Sequence, residues 1–135
     1  MAYTRTQKVK FKHCDPAGIV FYPRYFEMIN DTVEAWFEDI LEHPFAEIHP
    51  KNAVPTGDIQ TRFTAPSKLG DILNITLEIQ RIGTASLALQ IETECEGQAR
   101  FIAALTLIYV NNQGKSEAWP DALRARILTE METNQ

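Results

Sequence analysis

The residues best able to do chemistry lie together in one short segment, His-Cys-Asp-Pro-Ala-Gly-Ile-Val-Phe-Tyr, at positions 13–22. Its first three residues, His13, Cys14 and Asp15, are the types found in a nucleophile–base–acid relay. Neighbouring side chains of an extended chain point to opposite sides, so consecutive residues cannot easily form such a relay. A small packed side chain explains Cys14 better. A surface or packing histidine explains His13 better than a proton carrier does.

Asp15 allows two interpretations. In the first, Asp15 and Pro16 begin a turn, and the carboxylate accepts hydrogen bonds from nearby backbone N–H groups. In the second, the carboxylate faces the N-terminus of a following helix, whose free N–H groups can hold a developing oxyanion. A carboxylate in that place can act on a carbonyl compound as a nucleophile or a general base, which is what acyl transfer requires. Spacing alone favours the turn.

The element that must position Asp15 is a long amphipathic helix. Apolar side chains recur at three- and four-residue steps and form a wide aromatic stripe. These residues are Tyr22, Tyr25, Phe26, Ile29, Val33, Trp36, Phe37, Ile40 and Leu41. Pro23 suits the first turn, where its missing N–H costs nothing, and Pro44 lies beyond the end. We therefore predict a helix over 23–42, followed by an irregular connection over 43–56.

The rest of the chain alternates polar and apolar residues, which is typical of strands with one solvated face. Five strands are predicted, at 3–11, 59–65, 72–82, 86–95 and 99–110. Val9 and Phe11 are expected on the buried side of the first strand, and the last strand is apolar on both faces and expected inside the sheet. A short amphipathic helix opens at Pro120. The predicted class is α+β, with an antiparallel five-stranded sheet wrapped around one long central helix plus a short C-terminal helix.

Composition limits the possible partners. The 135 residues carry 13 Lys+Arg against 18 Asp+Glu, a net charge of −5, and 44% are hydrophobic. These values fit one domain over 1–135 and argue against nucleic acid, which usually requires a concentrated basic face. No apolar run reaches the roughly 20 residues of a membrane helix, and no apolar signal core follows Met1, so we expect a cytoplasmic protein without membrane contact. The spacing of Cys14, Cys95 and the three histidines predicts neither a metal site nor a disulfide.

The segment from Asp15 to Pro23, followed by Tyr25 and Asp31, resembles the 4-hydroxybenzoyl-CoA thioesterase family of hotdog-fold enzymes. The order of the predicted elements agrees with that fold along nearly the whole chain. The resemblance implies hydrolysis of an acyl-CoA thioester, with CoA as part of the substrate and no other cofactor. It also implies a homodimer that assembles into a homotetramer, with active sites at the dimer interface.

At the level of residues, the resemblance makes Asp15 the catalytic carboxylate and makes the backbone N–H of Tyr22 the group that polarises the thioester carbonyl. Whether the carboxylate attacks directly or activates water stays open. The residues expected to bind substrate are His13, Pro16, Gly18, Tyr25, Val54 and Thr56. The resemblance also explains why position 18 is a glycine, because a backbone without Cβ permits an unusual turn and a close approach of substrate.

The chain departs from the family in two places. An aromatic-specific member has a threonine just before the Pro55 position, whereas this chain has Val54 there and Thr56 after the proline. A basic pair that the family uses near the nucleotide end of CoA falls at Gly83-Thr84. Arg81, Arg62 and Lys68 are candidates to replace it, although a solvated surface charge explains each of them better. The physiological acyl group therefore stays open.

Two alternatives remain beside the thioesterase. One is a hotdog hydratase or dehydratase, which generally requires a histidine base, for which His13 is the nearby candidate. The other is a non-catalytic hotdog protein that binds acyl-CoA. The presence of Asp15 in the motif favours the hydrolase over both.

Overall fold

The computed structural model describes residues 2–133. Seven strands are present in this range: β1 (Tyr3–Lys8), β2 (Asn52–Ala53), β3 (Thr56–Phe63), β4 (Ile72–Ile82), β5 (Ser86–Cys95), β6 (Gln98–Ile108) and β7 (Val110–Asn111). The three α-helices are α1 (Pro23–Asp39), α2 (Phe45–Ile48) and α3 (Asp121–Thr133), and one 3₁₀ turn spans Phe11–His13.

Five strands form one antiparallel sheet in the order β1-β4-β5-β6-β3, as the alternation predicted. The bounds of β4 and β5 match the sequence prediction, and β6 lies inside the sheet between β5 and β3. The inward side chains of β4, β5 and β6 are buried in one core cluster with α1. A second sheet contains only β2 and β7.

The helix α1 begins at Pro23 as predicted but ends at Asp39, one turn before the predicted end at residue 42. The N–H groups of Ile40 and Leu41 both donate to the carbonyl of Trp36, and Glu42 has a left-handed backbone with φ of 57°. The chain therefore reverses just past the helix. The buried face also differs from the predicted stripe, because Met28 and Thr32 are buried whereas the side chain of Tyr22 is exposed.

Three local predictions were wrong. The strand β1 ends at Lys8, and Phe11 lies on the 3₁₀ turn with 84% of its surface exposed. Val9 is buried as expected, and its backbone pairs with Asp71 in the register that Lys8 and Ile72 set. The chain therefore leaves the sheet after Val9, at the 3₁₀ turn. The strand β3 covers Thr56–Phe63 instead of 59–65. The connection over 43–56, expected to be irregular, contains α2 and β2.

Candidate active site

The segment 13–22 forms a tight loop held by its own backbone. The N–H of Phe21 donates to the carbonyl of His13 at 2.9 Å, and the N–H of Asp15 donates to the carbonyl of Ile19 at 3.0 Å. The N–H of Gly18 returns to the carbonyl of Asp15 at 3.0 Å, with a left-handed φ of 79° that glycine adopts without strain. The loop therefore presents its side chains from a fixed backbone.

Asp15 is partly exposed at the start of this loop. Its Oδ1 accepts a hydrogen bond from the N–H of Ala17 at 2.9 Å, which is the turn geometry expected of an Asp-Pro sequence. The carboxylate has a second oxygen available for substrate or water. Asp15 borders a cavity of about 460 Å³, whose other lining residues are Phe11, Cys14, Pro16, Gly18 and Leu69. The turn interpretation and the chemical one are therefore compatible.

The other end of the loop is the N-terminus of α1. Pro23 has no N–H, and the first helical N–H groups, of Arg24 and Tyr25, donate to the carbonyls of Phe21 and Tyr22 at 2.8 and 3.1 Å. The N–H of Tyr22 has no acceptor within residues 2–133. An unpaired N–H at a helix N-terminus can donate to a carbonyl oxygen that gains negative charge.

A wide apolar cavity of about 610 Å³ opens at the Tyr22 end of the loop, separate from the cavity that Asp15 borders. Tyr22 and Tyr25 line it, together with Ile19, Val20, Phe63, Thr64, Ala65 and Pro66. The ring of Phe63 stacks on Tyr25 at 5.7 Å between centroids and meets Tyr22 edge-on at 6.1 Å. Three aromatic rings thus form one wall of what we call the aromatic cavity.

Tyr25 also carries the one hydrogen bond between side chains that reaches from α1 to the chain segment 64–71. Its hydroxyl donates to Oγ of Ser67 at 2.8 Å, and both residues are buried. We call the segment 64–71 the floor loop, because three of its residues line the aromatic cavity. Tyr25 therefore fixes the floor loop against the helix, in addition to lining the cavity.

His13 is placed as a packing residue. It is 6% exposed, and its Nδ1 accepts a hydrogen bond from the N–H of Lys10 at 2.9 Å. Burial, and then the charge of Lys12, lowers the pKa of His13 below its usual value of 6.5. The neutral ring with Nδ1 as acceptor carries its proton on Nε2 and so offers a donor, not a base. This geometry speaks against the hydratase alternative.

The other residues expected to bind substrate lie at two different cavities. Pro16 and Gly18 border the same cavity as Asp15. Val54 and Thr56 line a different cavity of about 210 Å³, between α1 and β3. A single chain therefore does not bring Val54 and Thr56 to the cavity of Asp15.

The candidate basic residues are separated in the same way. Arg62 lies at a groove with residues of β5 and β6 on the far face of the sheet, and Arg81 is exposed on β4. Lys68 is in the floor loop, where its backbone pairs with Ile19. Among these three, Lys68 is the one joined to the loop of Asp15.

Phe63 and Ser67 were missed as site residues. Phe63 lies at the end of an edge strand, and Ser67 contacts Tyr25 across 42 positions of sequence. The only available signal was the Thr-Ala-Pro-Ser segment after Phe63, which indicates a connection but not what that connection touches.

The family follows from a comparison of the whole chain with known families. The model of the thioesterase-like superfamily matches residues 9–127. The chain belongs to the thioesterase-like superfamily. Within the superfamily, the chain is 26% identical over 101 residues to a 1,4-dihydroxy-2-naphthoyl-CoA hydrolase of Prochlorococcus marinus. That alignment covers 67% of this chain and 63% of the relative, so the chain spans less than two thirds of the relative's length.

Solved structures agree with the fold of this chain over nearly its whole length. A 1,4-dihydroxy-2-naphthoyl-CoA thioesterase from Synechocystis superposes with a TM-score of 0.86 at 20% identity, over 95% of this chain and 96% of that one. A hypothetical protein of Staphylococcus aureus, solved in complex with CoA, gives a TM-score of 0.91 at 19% identity, over 98% and 85%. The hotdog fold predicted from the sequence is confirmed.

Residues 2–133 lack two further kinds of feature. None of the helices there has the length and apolarity needed to cross a membrane. In the same part of the chain, no three His, Cys, Asp or Glu side chains come together in a way that could hold a metal ion.

Proposed function

We propose that this protein hydrolyses acyl-CoA thioesters. The observation that carries the proposal is the loop 13–22, which holds the carboxylate of Asp15 at one end and the unpaired N–H of Tyr22 at the other. Acyl transfer requires a nucleophile or base and a donor to the oxyanion. One backbone-fixed loop supplies both, next to an apolar cavity.

In the proposed reaction, the thioester carbonyl oxygen accepts a hydrogen bond from the N–H of Tyr22. Asp15 then either attacks the carbonyl carbon, forming an anhydride that water hydrolyses, or removes a proton from the water that attacks. In both routes negative charge develops on the carbonyl oxygen, and the carbon–sulfur bond breaks as the CoA thiolate leaves and gains a proton. The products are the free acid and CoA.

For the acyl group, we propose an aryl or a short to medium chain, with aryl groups tested first. The rings of Tyr22, Tyr25 and Phe63 offer edges and faces at which a flat acyl group can pack. The superfamily relatives described above include proteins named for an aryl-CoA substrate. Val54 in place of threonine gives no support to 4-hydroxybenzoyl specificity, so this substrate is one member of the test panel.

We further propose that the working unit is a homodimer, assembled into a homotetramer. The strand β3 is at an edge of the sheet, with β6 as its neighbour, and an uncovered edge of eight residues invites pairing with another chain. Four large apolar side chains are exposed at or near this edge: Phe21, Tyr22, Ile59 and Phe63. A second copy at β3 would bury them. The shared site implied by the family resemblance would then draw Val54 and Thr56 from the neighbouring copy.

The test of the activity is free-thiol release from a panel of aryl- and aliphatic-CoA thioesters by the wild type and Asp15→Asn. Asparagine keeps an oxygen for the N–H of Ala17, so the loop should keep its shape while the charge is lost. We expect a loss of about 100-fold to 10,000-fold in kcat. Glu34→Gln is the matched control, because Glu34 is an exposed carboxylate of α1 away from the loop.

Wild-type turnover in Asp15→Asn with normal CoA binding would remove Asp15 from the mechanism. Binding of CoA with no thiol release across the panel would favour the non-catalytic binding protein instead. The assembly is tested separately by sedimentation equilibrium, where a stable species at the chain mass of 15.4 kDa would contradict the dimer.

A further inference from the structure

Arg100 is a buried cation that the mechanism above does not use. It lies on β6 and is 7% exposed. Its Nη1 donates to the carbonyl of Pro66 at 3.1 Å and to Oδ2 of Asp71 at 2.7 Å, and its own carbonyl accepts the N–H of Thr64 at 2.9 Å. Oδ2 of Asp71 also accepts the N–H of Lys68 at 2.9 Å. The pair therefore holds the floor loop near both of its ends.

The opposite side of the floor loop holds the loop of Asp15. The carbonyl of Ser67 accepts the N–H of Val20 at 2.9 Å, and the N–H of Leu69 donates to the carbonyl of Gly18 at 3.1 Å. The hydroxyl of Tyr25 adds its bond to Ser67. The floor loop thus bonds both to Arg100 and to the segment 18–20, and that segment lies between Asp15 and Tyr22 in the sequence.

Stability alone is a weak reason for such a pair. A buried ion pair often contributes no more than apolar side chains of the same size, because desolvation of the charges offsets their attraction. The Nε–H of Arg100 is moreover buried without an acceptor within residues 2–133, which is unfavourable in itself. What the pair does provide is one defined position for the floor loop.

We propose that Arg100 and Asp71 are positioning residues for the thioester reaction. Acting through the floor loop, they set the place of the segment 18–20 and so the distance between the carboxylate of Asp15 and the N–H of Tyr22. The expected effect on the reaction rate rests on the proposed function. The expected effect on the place of the segment 18–20 does not.

The test variant is Arg100→Met with Asp71→Asn. Removal of Asp71 alone would leave the buried guanidinium of Arg100 unpaired and could unfold the protein, whereas the double variant leaves no charge there. Asparagine still offers an oxygen to the N–H of Lys68, and methionine fills the volume of the arginine stem. The matched control is Lys115→Met with Glu78→Gln, which removes one charge of each sign from exposed positions outside the candidate site.

The first readout is amide hydrogen exchange, which requires no substrate. We expect the N–H groups of Val20 and Leu69 to exchange at least about tenfold faster in the double variant, while amides of β4 and β5 exchange as in the wild type. Unchanged exchange at Val20 and Leu69 would refute the positioning role, whether or not the protein is a thioesterase.

The second readout is kcat for the best acyl-CoA, divided by the folded fraction from circular dichroism. A misplacement of about 1 Å can cost about 100-fold in rate, so we expect a loss of at least about tenfold, with the Kd for CoA changed less than about twofold. Arg100→Lys, with Asp71 unchanged, should keep most of the wild-type kcat, because a single nitrogen of Arg100, Nη1, makes the contacts with both Pro66 and Asp71. A normal kcat per folded molecule in the double variant, with wild-type turnover established, would show that the pair is structural only.

Discussion

Replacement of Tyr25 by phenylalanine removes one hydroxyl group from the floor of the aromatic cavity. The ring should stay in place, because it stacks on Phe63 and contacts Phe101 at 5.0 Å between centroids. The substitution leaves the hydroxyl of Ser67 without its hydrogen-bond donor, because Ser67 is fully buried and its Oγ accepts the hydrogen bond of Tyr25 at 2.8 Å. A buried polar group left without its partner costs about 1–3 kcal/mol, and we expect the free energy of unfolding to fall by about 1–2 kcal/mol.

The measurement is urea unfolding at fixed protein concentration, which matters if the protein is oligomeric. The informative comparison is a double-mutant cycle with Ser67→Ala. Removal of both hydroxyl groups leaves nothing unsatisfied, so the double variant should be more stable than the sum of the single changes predicts, by about 1 kcal/mol. Tyr22→Phe is the matched control, since the hydroxyl of Tyr22 belongs to an exposed side chain, and we expect a change within about 0.5 kcal/mol.

Strict additivity in this cycle would show that the two hydroxyl groups do not depend on each other. A Tyr25→Phe variant as stable as the control would have the same meaning. Either result would also remove the side-chain link between α1 and the floor loop, leaving backbone hydrogen bonds alone to hold the floor loop to the loop of Asp15.

Two further predictions concern the loop 13–22. The pKa of His13 is lower in the folded protein than its unfolded value of about 6.5, so the unfolded state binds more protons below that pH, and stability should be lost as pH falls from 6.5 toward the folded pKa. His13→Asn keeps an acceptor for the N–H of Lys10 and should flatten this part of the curve of unfolding free energy against pH; an unchanged slope would contradict the assignment. Gly18→Ala should lower stability by about 1–2 kcal/mol in urea unfolding, because φ of 79° is unfavourable for alanine although its Cβ meets no atom within 4 Å. A neutral effect would mean that the loop relaxes.

The elements that could be predicted from the sequence are those whose local pattern agrees with their long-range packing. Strands β4 and β5 alternate cleanly between a polar face and a buried face, and both ends of each were predicted correctly. Phe11 shows the opposite case, because alternation continues to it although β1 has already ended at Lys8. The departure is made by the 3₁₀ turn, where the N–H groups of His13 and Cys14 donate to the carbonyls of Lys10 and Phe11. The alternation of polar and apolar residues does not report such a turn.

The same distinction between local patterns and long-range contacts applies to the candidate site. Asp15 was singled out because a turn followed by a helix is a local signal, whereas the resemblance to the hotdog thioesterases supplied the catalytic roles of Asp15 and Tyr22, which stay predictions. Ser67 and Arg100 were not found, because their roles come from contacts with residues 42 and 29 positions away. The residue types did not indicate these contacts, since a serine after a proline and an arginine in a strand are both common.

The candidate reacting groups and the wall of the aromatic cavity belong to different segments of the chain, which allows the cavity to vary independently of those groups. The groups that we propose to react belong to the loop 13–22 and the start of α1, whereas another wall of the aromatic cavity belongs to Phe63 and the floor loop. Most bonds joining the two are between backbone atoms, so they do not depend on which side chains line the cavity. Phe63 can therefore change without breaking these bonds, whereas we expect changes at Arg100 and Asp71 to alter the support of both Asp15 and the N–H of Tyr22. In the proposed function, the acyl group accepted and the rate of its hydrolysis would then be set by different residues.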